Sequence, residues 1–166
     1  MATKARYVHT NLIALDWKKI ARFYETVFGC KPVLPERDLK GKPLDDATGL
    51  PAARIRGIHL RLPGCGEDGP TLEVFQYDVL DDQVETSVNR PGYAHIAFAV
   101  DDVETAREAV LAAGGGEVGR VVSHEVAGVG TITFAYLKDP EGNIIEVQSR
   151  ARGEIEEAAE ARRPEL

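Results

Sequence analysis

Four ionisable side chains occur at matching places in the two halves of the chain, and together they could bind a metal ion. Two are histidines, His9 and His95, and each lies near the start of an apolar run. Two are glutamates, Glu73 and Glu146, and each lies between apolar neighbours, four residues after a glycine. Two neutral imidazoles and two carboxylates balance a divalent cation, and this mixed ligand set suits nickel, cobalt, zinc, manganese or iron(II). The sequence therefore predicts one divalent metal ion held by these four residues.

Both histidines belong to a repeat whose two copies, Val8–Gly29 and Ala94–Gly115, have the same register. In each copy an aspartate, Asp16 or Asp102, follows the histidine by seven residues. A repeat of this kind predicts two copies of one structural unit, here a strand followed by a helix that the aspartate caps. The predicted buried faces of the two helices are Ile20, Phe23, Tyr24 and Val27, and Ala106, Ala109 and Val110.

The remaining elements are predicted to be mainly strands, because apolar and polar residues alternate along them. The predicted strands are residues 7–15, 54–62 and 71–77 in the first half, and 94–100, 117–122, 130–137 and 144–148 in the second. Gly57 interrupts the alternation of its strand, which predicts a β-bulge there.

Three segments are predicted to lie outside these strands and helices. Residues 30–53 are rich in proline, glycine and aspartate, which predicts a long loop with one short strand near 31–34. Such a loop could cover a site or be a plain surface insertion. Residues 78–91 are a polar connector, and residues 150–166 are predicted to form a C-terminal helix or tail.

The other two histidines are predicted to have no counterpart in the repeat. His59 alternates with Arg61 and is expected to face solvent, and His124 is expected to lie in a loop. Asn11 shares the face of its strand with His9 and is predicted to contact substrate. The predicted apolar wall of the substrate pocket consists of Ile13, Phe75, Tyr77 and Tyr136.

The composition is that of a water-soluble globular domain, with 43% hydrophobic and 28% charged residues among 166. A formal net charge of −7 disfavours a nucleic-acid partner, because binding to phosphates needs a basic surface. No apolar run is long enough to predict a membrane span, and the N-terminal residues do not predict a secretory signal. The two cysteines have no CxxC spacing, so we expect a reduced, cytoplasmic setting.

The sequence resembles the vicinal oxygen chelate superfamily in three places. They are the stretch from His9 to Asp16 with its helix ending in FYETVFG, the second copy from His95, and the segment KDPEGNIIEV. The resemblance implies an α+β fold of two βαβββ modules, at about 6–78 and 92–149 of a single domain 1–149. The mixed sheets are expected to curl into a barrel-like metal cleft. Members also assemble this cleft across a dimer, so a homodimer is expected.

The predicted ligand set distinguishes branches of this superfamily. Extradiol dioxygenases and fosfomycin-resistance enzymes use two histidines and one glutamate, which by position would be His9, His95 and Glu146. With Glu73 as a fourth ligand, the chain is similar to glyoxalase I. Bleomycin-binding members generally lack the ligands. Bacterial glyoxalase I has an arginine and an asparagine where this chain has Ile13 and Tyr77, so a more apolar cleft is expected.

The resemblance and the ligand set together predict a metal-dependent lyase or isomerase acting on a small-molecule substrate. Two adjacent substrate oxygens would chelate the metal, and a glutamate would remove a proton next to a carbonyl to give an enediolate. Glu146 is the favoured base and Glu73 the mirror candidate. The alternatives are an iron(II) ring-cleaving dioxygenase and a non-enzymatic protein that binds a small molecule and confers resistance.

Overall fold

The computed structural model describes residues 3–151 and confirms the predicted α+β class, because helices and two mixed sheets occur together. The chain divides into two compact units between Val84 and Glu85. The first contains β1 His9–Ile13, α1 Trp17–Phe28, β2 Lys31–Lys40, α2 Lys42–Thr48, β3 Arg54–Arg61 and β4 Thr71–Tyr77. The second contains β5 Ile96–Ala99, α3 Val103–Ala112, β6 Gly116–Glu117, β7 Val122–Val126, β8 Gly130–Lys138 and β9 Ile144–Ala151. The predicted C-terminal helix or tail lies, from residue 152 onward, outside the described residues.

The two sheets share a topology in which the first strand of a unit lies beside its last strand. The strand order is β1-β4-β3-β2 in the first unit and β5-β9-β8-β6 in the second, where β7 also pairs with β8. The pairs β1–β4 and β5–β9 are parallel, and all the other pairs are antiparallel. This order places the start of each unit, which carries a histidine, next to the strand that carries a glutamate.

The predicted helix caps are confirmed in both copies of the repeat. The carboxylate of Asp16 accepts hydrogen bonds from two backbone N–H groups in the first turn of α1. Asp102 accepts from the N–H of Thr105 at the start of α3, and hydrogen bonds from the side chain and then the backbone of Thr105 lower the pKa of the Asp102 carboxyl. The first helix ends at Gly29, whose φ of 67° is the left-handed conformation that glycine adopts easily. None of the helices within residues 3–151 has the length and hydrophobicity that a membrane crossing requires.

The two helices bury their faces to different extents. In α1 the predicted core residues Ile20, Phe23 and Tyr24 are buried, with Trp17 and Ala21 in addition, whereas Val27 is only half-buried. In α3 the buried residues are Val103 and Val110, whereas Ala106 is half-buried and Ala109 is exposed. The prediction for Ala109 is wrong because the buried stripe of α3 follows Val103 and Val110, which are seven residues apart, and Ala109 lies to one side of that stripe.

The predicted long loop at 30–53 is wrong, because this segment contains the ten-residue strand β2 and the helix α2. The short strand predicted near 31–34 is confirmed as the start of β2. Two prolines fit into β2 because it is the edge strand of its sheet, where a missing backbone N–H costs little. Its pairing with β3 shifts between Val33 and Arg37, next to the cis peptide bond that joins Leu34 to Pro35. Proline content therefore marked an irregular edge strand rather than a loop.

The predicted bulge at Gly57 is also wrong. Residues 55–61 of β3 pair with β4 in one unbroken register, so the irregularity belongs to β2 alone. A Cβ atom on Gly57 would lie 2.1 Å from the carbonyl oxygen of Val74 and 2.3 Å from the ring of Phe75. Glycine is required here because the neighbouring strand and its aromatic ring approach too closely for any side chain.

Candidate active site

In the first unit, strand pairing brings His9 and Asn11 beside Glu73. The Nε2 atom of His9 lies 3.4 Å from Oε2 of Glu73, and Nδ2 of Asn11 donates a hydrogen bond to the same oxygen at 3.1 Å. Asn11 and Glu73 are paired directly in the parallel ladder of β1 and β4. The side chain of Glu73 is only 12% exposed, so its charge needs these partners.

His59 is the third partner of Glu73, so the prediction that His59 faces solvent is wrong. Its Nε2 atom lies 3.0 Å from Oε1 of Glu73, and its Nδ1 atom lies 3.1 Å from the hydroxyl oxygen of Thr71. The antiparallel register of β3 and β4 places His59 directly opposite Glu73. Burial lowers the pKa of the His59 imidazole, and the charge of Glu73 raises it by a smaller amount.

Three predicted pocket residues of the first unit lie on or next to this face of the sheet. Phe75 is buried, and its ring centroid lies 5.6 Å from that of His59 in an edge-to-face arrangement. Ile13 pairs with Phe75 in the strand register and is exposed. Tyr77 lies two residues further along β4, where it is half-buried and opposite Ile55.

In the second unit, His95 and Glu146 form the corresponding pair, with Nε2 and Oε2 separated by 3.1 Å. His95 immediately precedes β5, so its side chain lies at the end of the strand rather than within it. Tyr136 lies opposite Glu146 in the β8–β9 register, and its ring centroid is 5.2 Å from that of His95. Burial, followed by the charge and the hydrogen bond of Glu146, raises the pKa of Tyr136. The phenol is therefore protonated at neutral pH and can donate to the carboxylate.

The turn that leads into β9 is organised by a buried carboxylate. Asp139 is 3% exposed and accepts hydrogen bonds from the backbone N–H groups of Glu141 and Asn143 and from the side-chain amide of Asn143. These three bonds fix the chain just before Glu146 enters its strand. The predicted turn at 138–143 is thus a rigid element that positions the second glutamate.

The strand registers give each site residue a counterpart in the other unit. His59 opposes Glu73 as Tyr136 opposes Glu146, so the structural counterpart of His59 is a tyrosine rather than a histidine. Asn11 pairs with Glu73, whereas its counterpart Ala97 pairs with Glu146. His124, in contrast, is exposed on β7 rather than in the predicted loop, and it pairs with Ile132.

The donor atoms of each unit suit a divalent metal ion. Ligand atoms about 2.1 Å from a metal are about 3.0 Å apart at an octahedral angle and about 3.4 Å apart at a tetrahedral one. The separations of 3.4 Å in the first unit and 3.1 Å in the second agree with these values. Across residues 3–151, no group of three or more His, Cys, Asp or Glu side chains is arranged to hold a metal. Each unit therefore presents one pair of suitable donors, and the four-ligand site stays a prediction.

Sequence reasoning missed His59 and Thr71, although a signal for them was present. In an antiparallel pair of strands without a bulge, the residue numbers of every opposed pair have the same sum. For β3 and β4 this rule places His59 opposite Glu73. The alternation of His59 with the polar Arg61 was the misleading signal, because it indicated a side chain that faces solvent.

The comparisons with known proteins agree with this architecture. The family model described as Glyoxalase/Bleomycin resistance protein/Dioxygenase superfamily matches residues 6–147. A probable lactoylglutathione lyase from Vibrio cholerae is 28% identical over 147 residues, covering 86% of this chain and 88% of that protein.

Solved structures give the same fold. A glyoxalase family protein from Bacillus cereus has a TM-score of 0.71 at 19% identity, over 92% of this chain and 97% of that one. A mutant glyoxalase I from Zea mays has a TM-score of 0.58 at 24% identity, over 86% of this chain and 45% of the maize chain. Because the family model covers most of the sequence, the chain belongs to the Glyoxalase/Bleomycin resistance protein/Dioxygenase superfamily, as its resemblance to the vicinal oxygen chelate proteins predicted.

Proposed function

We propose that this protein is a glyoxalase-like, metal-dependent lyase or isomerase that moves a proton at a carbon next to a carbonyl group. The observation that carries the proposal is the repeated contact between a histidine Nε2 atom and a glutamate oxygen, at 3.4 Å for His9–Glu73 and 3.1 Å for His95–Glu146. Membership of the superfamily and similarity to a probable lactoylglutathione lyase support it.

In this proposal the four residues His9, Glu73, His95 and Glu146 hold one divalent ion, which could be nickel, cobalt, zinc, manganese or iron. When bound, such an ion supplies a Lewis acid that polarises a carbonyl and stabilises the negative charge that develops on the substrate oxygens. Imidazole and carboxylate donors suit all of these ions, so the donor set does not select one of them.

We assign the base to Glu146 because it has fewer restraining partners than Glu73. Glu73 is contacted by Asn11 and His59 in addition to His9. Glu146 has Ala97 at the place of Asn11 and receives a hydrogen bond from Tyr136. A carboxylate that takes a proton from substrate must move, and a less restrained carboxylate moves at lower cost. Glu146 would take the proton from one carbon and return it to the adjacent carbon, which completes an isomerisation.

The substrate class follows from the residues near these glutamates. We expect a small molecule with two oxygens on adjacent carbons and an apolar remainder. The residues proposed to contact it are Asn11, Ile13, Phe75, Tyr77 and Tyr136. The similarity to a probable lactoylglutathione lyase makes hemithioacetals of methylglyoxal the first compounds to test. Because Ile13 and Tyr77 are poor partners for a charged thiol, we expect small apolar thiols to be accepted better than glutathione.

The experiment begins with the chelator-treated protein, reloaded separately with each of the five metals. Metal stoichiometry, oligomeric state by light scattering and turnover of hemithioacetals made from glutathione or a small apolar thiol are measured for each form. We expect one metal ion per set of four ligands, turnover only in loaded protein, and exchange of a substrate carbon-bound hydrogen with deuterium from solvent. The control variant is His124→Gln, since His124 is exposed on β7.

Two outcomes would contradict the proposal. Iron-dependent oxygen uptake with an aromatic diol, without hydrogen exchange, would indicate a ring-cleaving dioxygenase instead. Tight binding of a small molecule that survives both Glu73→Gln and Glu146→Gln, with no metal bound, would indicate a non-enzymatic binding protein.

A further inference from the structure

We propose that His59 is a positioning residue that fixes the carboxylate of Glu73, and that Tyr136 has the equivalent role toward Glu146. The part of this inference that concerns metal binding rests on the proposed function. The part that concerns the orientation of Glu73 rests on contacts within the first unit alone.

The strand registers place both residues at one structural position. His59 on β3 lies directly opposite Glu73 on β4, and Tyr136 on β8 lies directly opposite Glu146 on β9. Each also contacts the histidine of its own unit through its ring, with centroid distances of 6.1 Å for His59–His9 and 5.2 Å for Tyr136–His95. The repeat therefore contains three matched residues in each unit, and the third is a ring that can donate a hydrogen bond.

The two oxygens of Glu73 have separate partners. His59 Nε2 is 3.0 Å from Oε1, whereas Asn11 Nδ2 and His9 Nε2 lie 3.1 Å and 3.4 Å from Oε2. A carboxylate held on both oxygens cannot rotate about its last bond without losing a partner. His59 therefore keeps Oε2, the oxygen next to His9, directed toward the place where a metal would bind.

His59 is itself oriented by Thr71. The Thr71 hydroxyl lies 3.1 Å from Nδ1, so it can donate to that nitrogen while the Nε2–H group donates to Glu73. This arrangement selects the tautomer that carries its proton on Nε2. The ring is further confined by the edge-to-face contact with buried Phe75. Hydrogen-bonded residues behind a metal ligand commonly change metal affinity or activity by about 10–100-fold when they are removed.

Tyr136 supports Glu146 less firmly than His59 supports Glu73. Its phenol has a single O–H to donate, and the position that corresponds to Thr71 is occupied by apolar Ile144. The second unit therefore has no hydroxyl at this place to orient the ring. We therefore expect replacement of His59 to change metal affinity more than replacement of Tyr136.

The first experiment uses the metal-free protein and tests orientation alone. Nitrogen-15 NMR of the His59 ring, recorded at about pH 8 where the imidazole is neutral, should show the proton on Nε2. Thr71→Val should allow the other tautomer to appear, whereas His124→Gln should leave the His59 signals unchanged. A His59 ring that carries its proton on Nδ1 in the unaltered protein would overturn the inference, whatever the protein catalyses.

The second experiment measures Co²⁺ affinity and the visible spectrum of the Co²⁺-loaded protein. His59→Leu should lower affinity about 10–100-fold and alter the spectrum. His59→Gln should restore most of both, because its amide can still donate to Glu73. Tyr136→Phe should change affinity by a smaller factor. Circular dichroism and a thermal unfolding curve identify any variant that fails to fold. If His59→Leu fails to fold, the NMR result and the Co²⁺ affinity of His59→Gln test the positioning role instead.

These results separate failure of the inference from failure of the proposed function. Unchanged Co²⁺ affinity in His59→Leu, together with lost affinity in Glu73→Gln, would overturn the positioning role and leave the metal site standing. Unchanged affinity in Glu73→Gln and His9→Ala would overturn the metal site, while the NMR result would still decide the orientation of His59.

Discussion

Glu73 and Glu146 lie at equivalent positions on the last strands of their units, and their surroundings differ in chemistry. Around Glu73 the neighbouring positions are polar, with Asn11 on one side and His59 on the other. Around Glu146 the position of Asn11 is occupied by Ala97. One topology thus supports a restrained carboxylate in the first unit and a freer one in the second. Under the proposed function, this difference predicts separate roles for the two glutamates, with Glu73 as a fixed ligand and Glu146 as the base.

The turns that precede the two glutamate strands differ in a similar way. In the second unit the buried carboxylate of Asp139 organises the turn by three hydrogen bonds. In the first unit the turn is tight because Gly69 approaches the backbone of Cys65, where a Cβ atom would lie 2.3 Å from the carbonyl oxygen. The repeat therefore preserves the position of the strand while the local means of fixing it differ.

The largest expected effect comes from replacing the two glutamates in turn. We expect Glu146→Gln to lower kcat about 10²–10⁴-fold while Co²⁺ still binds, because an amide cannot accept the substrate proton. The matched variant Glu73→Gln should chiefly weaken Co²⁺ binding. Steady-state kinetics at saturating metal and metal titrations measure the two effects. Similar losses of kcat at saturating metal in both variants would show that the two glutamates have the same role.

The second prediction concerns the turn before β9. Asp139→Ala should lower the free energy of unfolding by about 3 kcal/mol, because a buried acceptor of three hydrogen bonds is removed. The matched control is Asp68→Ala, an exposed aspartate in the corresponding turn of the first unit, which should change it by less than about 0.5 kcal/mol. Urea denaturation measures the free energy of unfolding of both variants. Equal losses in the two variants would show that the two turns contribute equally to stability.

The third prediction tests the close approach at Gly57, whose counterpart in the second unit is the bulky Phe134. Gly57→Ala should lower the free energy of unfolding by about 2 kcal/mol, because the new methyl group meets both Val74 and Phe75. Gly119→Ala is the control, since a Cβ atom there has no neighbour within 4 Å among the described residues. A neutral Gly57→Ala in urea denaturation would mean that β3 and β4 can separate without cost.

The smallest effect is expected from exchanging the residues that lie beside the two glutamates. Asn11→Ala should lower Co²⁺ affinity about tenfold, because Glu73 loses the donor to Oε2. Ala97→Asn should leave affinity nearly unchanged and lower kcat about tenfold, because a new donor would restrain Glu146. Metal titration measures the Co²⁺ affinity of both variants, and steady-state kinetics measure their kcat. If kcat is unaltered in Ala97→Asn, the mobility of Glu146 does not limit its action as a base.

Much of the fold could be predicted because its signals are local. The capping aspartates, Gly29 and the alternation along β4 depend on nearby residues, and the structure confirms them. Only the start of β2, near 31–34, was predicted, because the stability of this strand comes from pairing with β3 while its own prolines favour a loop. The contact between His59 and Glu73 was missed for a related reason, since the two residues lie on different strands.

The sequence by itself determined the repeat, and it placed one histidine and one glutamate at matching positions in each half. These follow from residue types at fixed spacing, which set strand faces and helix ends regardless of what packs elsewhere. The tertiary structure alone decided the strand registers, and with them the partners of each carboxylate. A shift of one residue in pairing turns a side chain to the other face of the sheet, so the register determines that His59 and Tyr136 meet Glu73 and Glu146. That choice depends on packing between segments far apart in the chain, which no local pattern contains.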